Sequence, residues 1–484
     1  MNRKASLRMI LIIIFMLSGL FAMQPASAAA TITVTTTTDS IADDGQCSLR
    51  EAVLSANTDT GTGGCPAGSG ADVIVFDPSL PDPAVFLLIL TGANEDGSAT
   101  GDLDLIGILN IQGINPNQVI IDGNGADRVF DIRPGATVTI SGITVRNGNP
   151  GSGANGGGII ITGGTPRAKL TLMNSFILNN TAVIGGGIQN ASNGATAIIQ
   201  ATQISSNIAA TSGGGIANSG DLTLINSTMT QNQARTGGGI EHSGFSMHLT
   251  NDTISNNTAS DNGGGLYNRG DTIILNSTFS GNTASGPETG GNIFHDMASM
   301  AIKNSIIANS DADGNCFVNE GFLTTQGNNL DSGNTCGFTG SGDLVNTNPM
   351  LGPLQDNGGS TFTHALLAGS LAIDAGTNTG CPAADQRGFI RPADGDLNGS
   401  ATCDIGAYEF NAIANTVTPS PTIQPSDTPT PTLTPIVSSP TDIPTSTPVT
   451  PTPTPVPPTT PCTGAVLPLI LFLLLIYSSV LNKK

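Results

Sequence analysis

The sequence predicts an all-β chain wound as a parallel β-helix, and three observations carry that reading. The phrase Gly-Gly-Gly-Ile stands at 156–159, 185–188, 213–216 and 237–240, followed by Gly-Gly-Gly-Leu at 263–266 and a worn Gly-Gly-Asn-Ile at 290–293. A fixed period in the twenties marks a solenoid of stacked units. Between the corners runs a second phrase: Leu-Thr-Leu-Met-Asn-Ser at 170–175, Leu-Thr-Leu-Ile-Asn-Ser at 222–227, Ile-Leu-Asn-Ser at 274–277, Ile-Lys-Asn-Ser at 302–305. Within it apolar and polar residues alternate, which is the period of a half-buried strand. Each unit is also too short to hold strands and a helix of ordinary length. Three strand fragments per unit therefore form one coil, about 4.8 Å above the last.

Stacking places equivalent residues above one another. Asn174, Asn226, Asn251, Asn276 and Asn304 fall in one row, with Ala201 the exception, and Asn180, Asn207, Asn232, Asn257 and Asn282 fall in another. Amides in register can bond up and down a stack, so both rows are expected as ladders. Ile188, Ile216, Ile240, Leu266 and Ile293 are expected as an apolar stack in the core.

Composition narrows the function classes. The chain of 484 residues carries 16 Lys+Arg against 36 Asp+Glu, a net charge of −20. A nucleic-acid partner needs a basic patch and is not expected. There is no Trp and aromatics make up only 4%, which counts against a carbohydrate-binding module built on aromatic platforms. Six of the seven cysteines form three local couples, Cys47 with Cys65, Cys316 with Cys336 and Cys381 with Cys403. None has the Cys-x-x-Cys spacing of a zinc site. With an export signal, disulfides are the expected use, although six cysteines allow about fifteen pairings. Cys462 is left over.

Residues 1–28 read as a secretory signal: Arg3, Lys4 and Arg8, an apolar core from Met9 to Phe21, and Ala26-Ser27-Ala28 at the cleavage point. Residues 29–100 hold Cys47-Ser-Leu-Arg-Glu-Ala-Val-Leu-Ser-Ala-Asn57, a short helix in which Ser48 and Glu51 have capping-box spacing. The string resembles the CSLREA module of secreted bacterial β-helix proteins. That resemblance implies an N-terminal cap, and an open first strand needs one. Residues 101–345 carry the coils. They resemble right-handed β-helix proteins of the pectin-lyase-like superfamily, with repeats like those of polymorphic outer membrane proteins; the right hand comes from the resemblance. Residues 346–410 include Asp385-Gln-Arg-Gly388, Arg391-Pro392 and Cys403-Asp-Ile-Gly-Ala-Tyr-Glu409. They are similar to the choice-of-anchor C-terminal module of such proteins and are expected to be the C-terminal cap.

The tract 411–463 is rich in Pro and Thr and cannot bury a core, so a disordered, extended stalk is expected. Residues 464–481 are apolar and end in Asn482-Lys-Lys484. They are just long enough to span a bilayer. The lysines belong inside, so the bulk of the chain is expected outside the cell, anchored in the membrane by this C-terminal transmembrane helix.

Chemistry is less legible. Glu241 beside His242, with Arg235 and Arg269 near, is the best catalytic candidate for a polysaccharide lyase or hydrolase. The competing reading places His242 and His295 in the row Asn190, Asn218, His242, Asn268, His295, as substitutes for Asn in a ladder. The loop from Asp394 to Asp404 offers Asp394, Asp396 and Asn398 at alternate places before Gly399, the opening of a calcium loop that Asp404 would complete. It lacks the Glu that closes an EF-hand, and a turn-rich hairpin pinned by Cys403 is the alternative. The expected function is a surface-displayed, non-enzymatic binding or adhesion protein for an extracellular glycan or protein. An enzyme and a passive envelope component remain the alternatives.

Overall fold

The period of the glycine corners becomes the rise of a coil. The computed structural model describes residues 29–414, apart from 93–94, 192–193, 287 and 311–313. The expected signal, nearly all of the Pro/Thr stalk and the apolar stretch 464–481 lie outside the described residues. Among the described residues, no helix is long and apolar enough to cross a membrane.

One coil can be followed from Asp221. Asp221–Ile225 lies in sheet I, Thr228–Thr230 in sheet II, Gln233–Ala234 in sheet IV and Ile240–His242 in sheet III; Ser246–Thr250 then opens the next coil beside the first strand. Sheets I and II have 11 strands each, sheet III has nine and sheet IV five. Every pairing in these four sheets is parallel and runs from one coil to the next; the sequence reading of three strands per coil missed only the short fourth. The expected apolar stack of Ile188, Ile216, Ile240, Leu266 and Ile293 is fully buried.

Polar rows run inside this core. Asn207 accepts from the Asn180 backbone N–H and side-chain amide, both at 3.0 Å, and the pattern repeats through Asn232, Asn257 and Asn282. The third glycine of each corner lies where the next coil's backbone and this ladder close in. A Cβ on Gly239 would meet the next coil's Asn257 amide at 3.3 Å and a backbone oxygen at 2.5 Å. The worn corner has the same origin. Ser310 stands where the next Asn would, and Asn292 reaches in instead, accepting from the Asn282 amide at 2.7 Å and donating to Asn315 at 2.9 Å. A further row escaped the sequence reading. Ser227, Asp252, Ser277 and Ser305 each accept from the backbone of the preceding coil. The Asn226 row takes up positive φ, 53° at Asn226 and 55° at Asn251, which Asn tolerates better than most residues. Its amides bond at Asn251–Asn226 (3.2 Å) and Asn304–Asn276 (3.3 Å).

Helix α1 (Leu49–Thr58) has the capping box that the sequence predicts, and Leu49, Ala52 and Val53 join the core beside Thr31–Val34. Arg50 is fully buried. It forks onto Asp39 at 2.6 and 3.2 Å and donates to the carbonyls of Ser98 (3.0 Å), Gly101 (2.9 Å) and Asp102 (3.4 Å). Asp39 in turn accepts from the backbone of Ile89 and Leu90. One guanidinium thus ties three loops to the helix. Disulfides join Cys47–Cys65, Cys316–Cys336 and Cys381–Cys403, the three local couples.

The segment expected as a C-terminal cap, 346–410, lies elsewhere. It is laid back along the outer face of sheet II as a strap. Thr361 bonds the Asn226 carbonyl, Thr228 the Phe362 carbonyl, Thr253 the Gln386 side chain, and Thr278 accepts from the Ala407 backbone. The cause is the outer row of sheet II. Where the three coils before them present Thr228, Thr253 and Thr278, the last present Ile306 and Leu330, which form a second apolar cluster with Leu366, Ala372 and Ile405. Cys336 and Phe338 belong instead to the main core at its C-terminal end.

Candidate functional site

The strap stops short of the early coils, and between it and the turn 113–118 three rungs of sheet II are left open. These are Thr144–Arg146, Phe176–Leu178 and Gln203–Ser205, paired in register with one another and with the rungs on either side. Val145, Ile177 and Ile204 point into the core, so their neighbours Thr144, Phe176 and Gln203 and then Arg146, Leu178 and Ser205 point out.

Two walls bound this stretch. The first is the long turn 113–118, pinned by the Thr144 hydroxyl to the Pro116 carbonyl at 2.6 Å. The second is the strap's loop 356–362. It is held by Gln386, whose amide donates to Thr228, Thr361 and the Phe362 carbonyl at 2.9, 2.9 and 3.0 Å. Gly359 has φ +95°, and a Cβ there would lie 2.7 Å from the Arg387 Cα, so this wall requires glycine. Between the walls lie two adjoining cavities of about 440 and 590 Å³, which share Pro116, Asn117, Phe176, Gly359 and Ser360. One sits over the turn row of Asn174 and Ala201, the other over the sheet. Sizes in this range suit a small ligand or a short stretch of a longer one.

The floor combines Phe176, Leu178 and Ile120 with the polar groups of Arg146 and Gln203. Arg146 donates from Nε to Asp122 at 2.7 Å, and Asn147 donates to the same carboxylate oxygen at 2.9 Å. The terminal nitrogens of Arg146 make no hydrogen bond within the described residues. Phe362 stands 39% exposed at the second wall. The low aromatic content therefore misleads as an average, because a site needs only one or two rings and this one has two.

The catalytic pair expected from sequence is divided by its own strand. Glu241 faces outward from Ile240–His242, and His242 faces inward, fully buried, with Nδ1 2.9 Å from the Asn218 amide. Neighbouring residues of a strand point to opposite faces, so the two cannot act on one substrate. His242 is a rung of the Asn190–Asn218 ladder, as His295 is beside Asn268 at 3.0 Å. Gly270 and Gly321 make room for the two imidazoles: a Cβ there would lie 2.4 and 2.3 Å from the respective Nε2 atoms. Burial pushes the pKa of His242 down to about 4.

Outside, Glu241 sits next to Tyr267, which begins a stack with Phe294 (5.2 Å between centroids) and Phe317 (5.4 Å). Burial pushes the Glu241 carboxyl up to about 7, against the opposing pull of the Ser243 hydroxyl and Arg269. Because its folded pKa is raised, Glu241 favours the native state at low pH, and this contribution is lost as pH rises from the ordinary carboxylate range through about 7. Urea unfolding of wild type and Glu241→Gln across that window should show the wild type losing stability relative to the variant.

The acidic loop is also rearranged. One carboxylate oxygen each from Asp374, Asp394 and Asp396 lie within 4.8 Å of one another. Asp374 is the member that sequence spacing missed, since it comes from a different turn, and its Oδ1 is buried without a hydrogen-bond partner. Asn398 turns its backbone N–H and side-chain amide toward Asp394 and Asp396, so it supplies donors to the acids. Asp404 is not in the cluster. It is buried, accepting from the Asp374 backbone at 2.7 Å, and desolvation followed by the charge of Glu409 raises its pKa to about 8.

No family model matches this chain, and no curated protein does. Among solved structures, a pectate lyase, Pel9A, is similar over 79% of this chain and 98% of its own, with 14% identity and a TM-score of 0.41. A likeness that slight carries no argument about activity.

Proposed function

We propose that this chain is an exported β-helix, displayed at a cell surface, that binds an extracellular glycan in the walled groove of sheet II without turning it over. The observation that carries the reading is the groove itself: an aromatic and aliphatic floor, unpaired guanidinium nitrogens at its side, and two walls fixed by hydrogen bonds. Apolar C–H faces of a sugar ring suit Phe176, and its hydroxyls suit the amides of Asn117 and Gln203. The three disulfides fit an oxidising, extracellular setting. The leader, the Pro/Thr tract, the apolar stretch 464–481 and the CSLREA and choice-of-anchor resemblances support export and anchoring.

The test is a polysaccharide binding screen with the purified chain, paired with an assay for released unsaturated or reducing ends. Binding without release is expected, weakened about tenfold or more by Phe176→Ala, since a buried aromatic contact contributes on the order of 1–2 kcal/mol. Release of ends that disappears in Glu241→Gln would establish the rival lyase or hydrolase reading. Failure to bind any glycan would remove the proposal.

We also propose that Asp374, Asp394 and Asp396 hold one calcium ion, in place of the set with Asn398 and Asp404. Three carboxylates this close repel one another unless a cation joins them. Calcium should then raise the melting temperature over that in EDTA, as any native-state ligand does, and Asp374→Asn should abolish the difference. Identical melting curves would reduce the cluster to a turn.

A further inference from the structure

We infer that the sheet II groove takes a neutral polysaccharide chain lying along the strand direction, between the two walls, and rejects polyuronates and other polyanions; this rests on the reading of the groove as a glycan site. Charge is the first argument. Arg146 is the single cationic residue among those lining the two cavities, and its Nε is already held by Asp122 at 2.7 Å. Asp356, exposed on the second wall, adds a negative charge to the same cavity. A polyuronate brings one carboxylate per sugar and would find at most one half-neutralised partner. Each unmatched pair of like charges in contact costs about 1–4 kcal/mol near a protein surface. The net charge of −20 slows the approach of any polyanion further.

Hydrogen bonding points the same way. Asn117, Gln203 and Ser360 can donate and accept, the free Arg146 nitrogens donate, and the Asp356 carboxylate accepts. That mixture matches vicinal hydroxyls, each both donor and acceptor, and not a row of carboxylates, which only accept. Phe176 and Leu178 offer apolar surface for the ring faces between them.

The path of the chain follows from the walls. They stand at the two ends of the open rungs along the solenoid axis, and the cavities lie side by side between them, over the turn row and over the sheet. A ligand can therefore continue past the groove along the strand direction and not up the stack. Peptide addition to a strand edge is not open here, because the three floor strands are paired on both sides.

The test uses the full chain in affinity electrophoresis and titration against size-matched neutral polysaccharides (glucan, mannan, xylan, galactan) and polyanions (polygalacturonate, alginate, hyaluronan), at low and moderate salt. Expected is retention by at least one neutral polymer, about tenfold or more tighter than by any polyanion, and little changed by salt. Phe176→Ala and Gln203→Ala should each weaken it, the second serving as the check should the first disturb folding. Tightest binding to a polyanion, falling with salt, would overturn the neutral-ligand inference while leaving the glycan site standing. No retention by any polymer would remove the site reading as well.

Discussion

Replacing Arg50 by alanine is expected to lower the unfolding free energy by about 3–5 kcal/mol, the cost of leaving a buried charge without its partner. Asp39 would keep only its two backbone donors, and the carbonyls of Ser98, Gly101 and Asp102 would lose theirs. Arg50→Lys should recover little, since an ammonium cannot fork onto a carboxylate and reach three carbonyls at once. Chemical denaturation monitored by circular dichroism measures the loss. A change under about 1 kcal/mol would mean that the loops at 39, 89–90 and 98–102 hold their positions without the guanidinium.

The second large effect is expected at Asn257→Ala, in the middle of the inner ladder. The side chain receives the Asn232 backbone N–H and amide and gives its own amide to the Met229 carbonyl and to Asn282. Its removal strands donors and acceptors that water cannot reach. At about 1–3 kcal/mol for each unsatisfied buried group, the loss should reach several kcal/mol. Asn256→Ala, one residue earlier with positive φ of 55° at the surface turn, should cost much less. Equal effects at the two positions would show that the ladder's satisfaction is not what stabilises the stack.

These residues also show what could be read from sequence. The Asn257 row was legible because period and residue type coincide at each copy. The helix from Leu49 was legible because Ser48 and Glu51 are close in sequence. Arg50 was not, since its partners lie 11 and 48–52 residues away and no local pattern announces them. The acidic cluster was half legible: Asp394 and Asp396 share a turn, but Asp374 arrives from another. Glu241 and His242 looked like a pair for the reason that separates them, adjacency on a strand. The groove left no signal, because its floor and its second wall are joined only when the strap folds back. Asp356 and Phe362 then face coils about 150–200 residues earlier.

The strap has a consequence for how the protein can change length. A ladder of identical rungs is indifferent to their number, and a solenoid held by ladders alone could gain or lose a coil by duplication or deletion. Here the segment after 346 makes fixed contacts with four successive coils: Thr361 and Phe362 with Asn226 and Thr228, Gln386 with Thr253, Ala407 with Thr278 and Thr377 with Asn304. Delete Ser246–Gly270 and the ladders would close over the gap, but each strap contact beyond it would arrive one storey out of place. The strap is therefore a gauge: it reads the number of coils from Asn226 to Asn304 and admits one value.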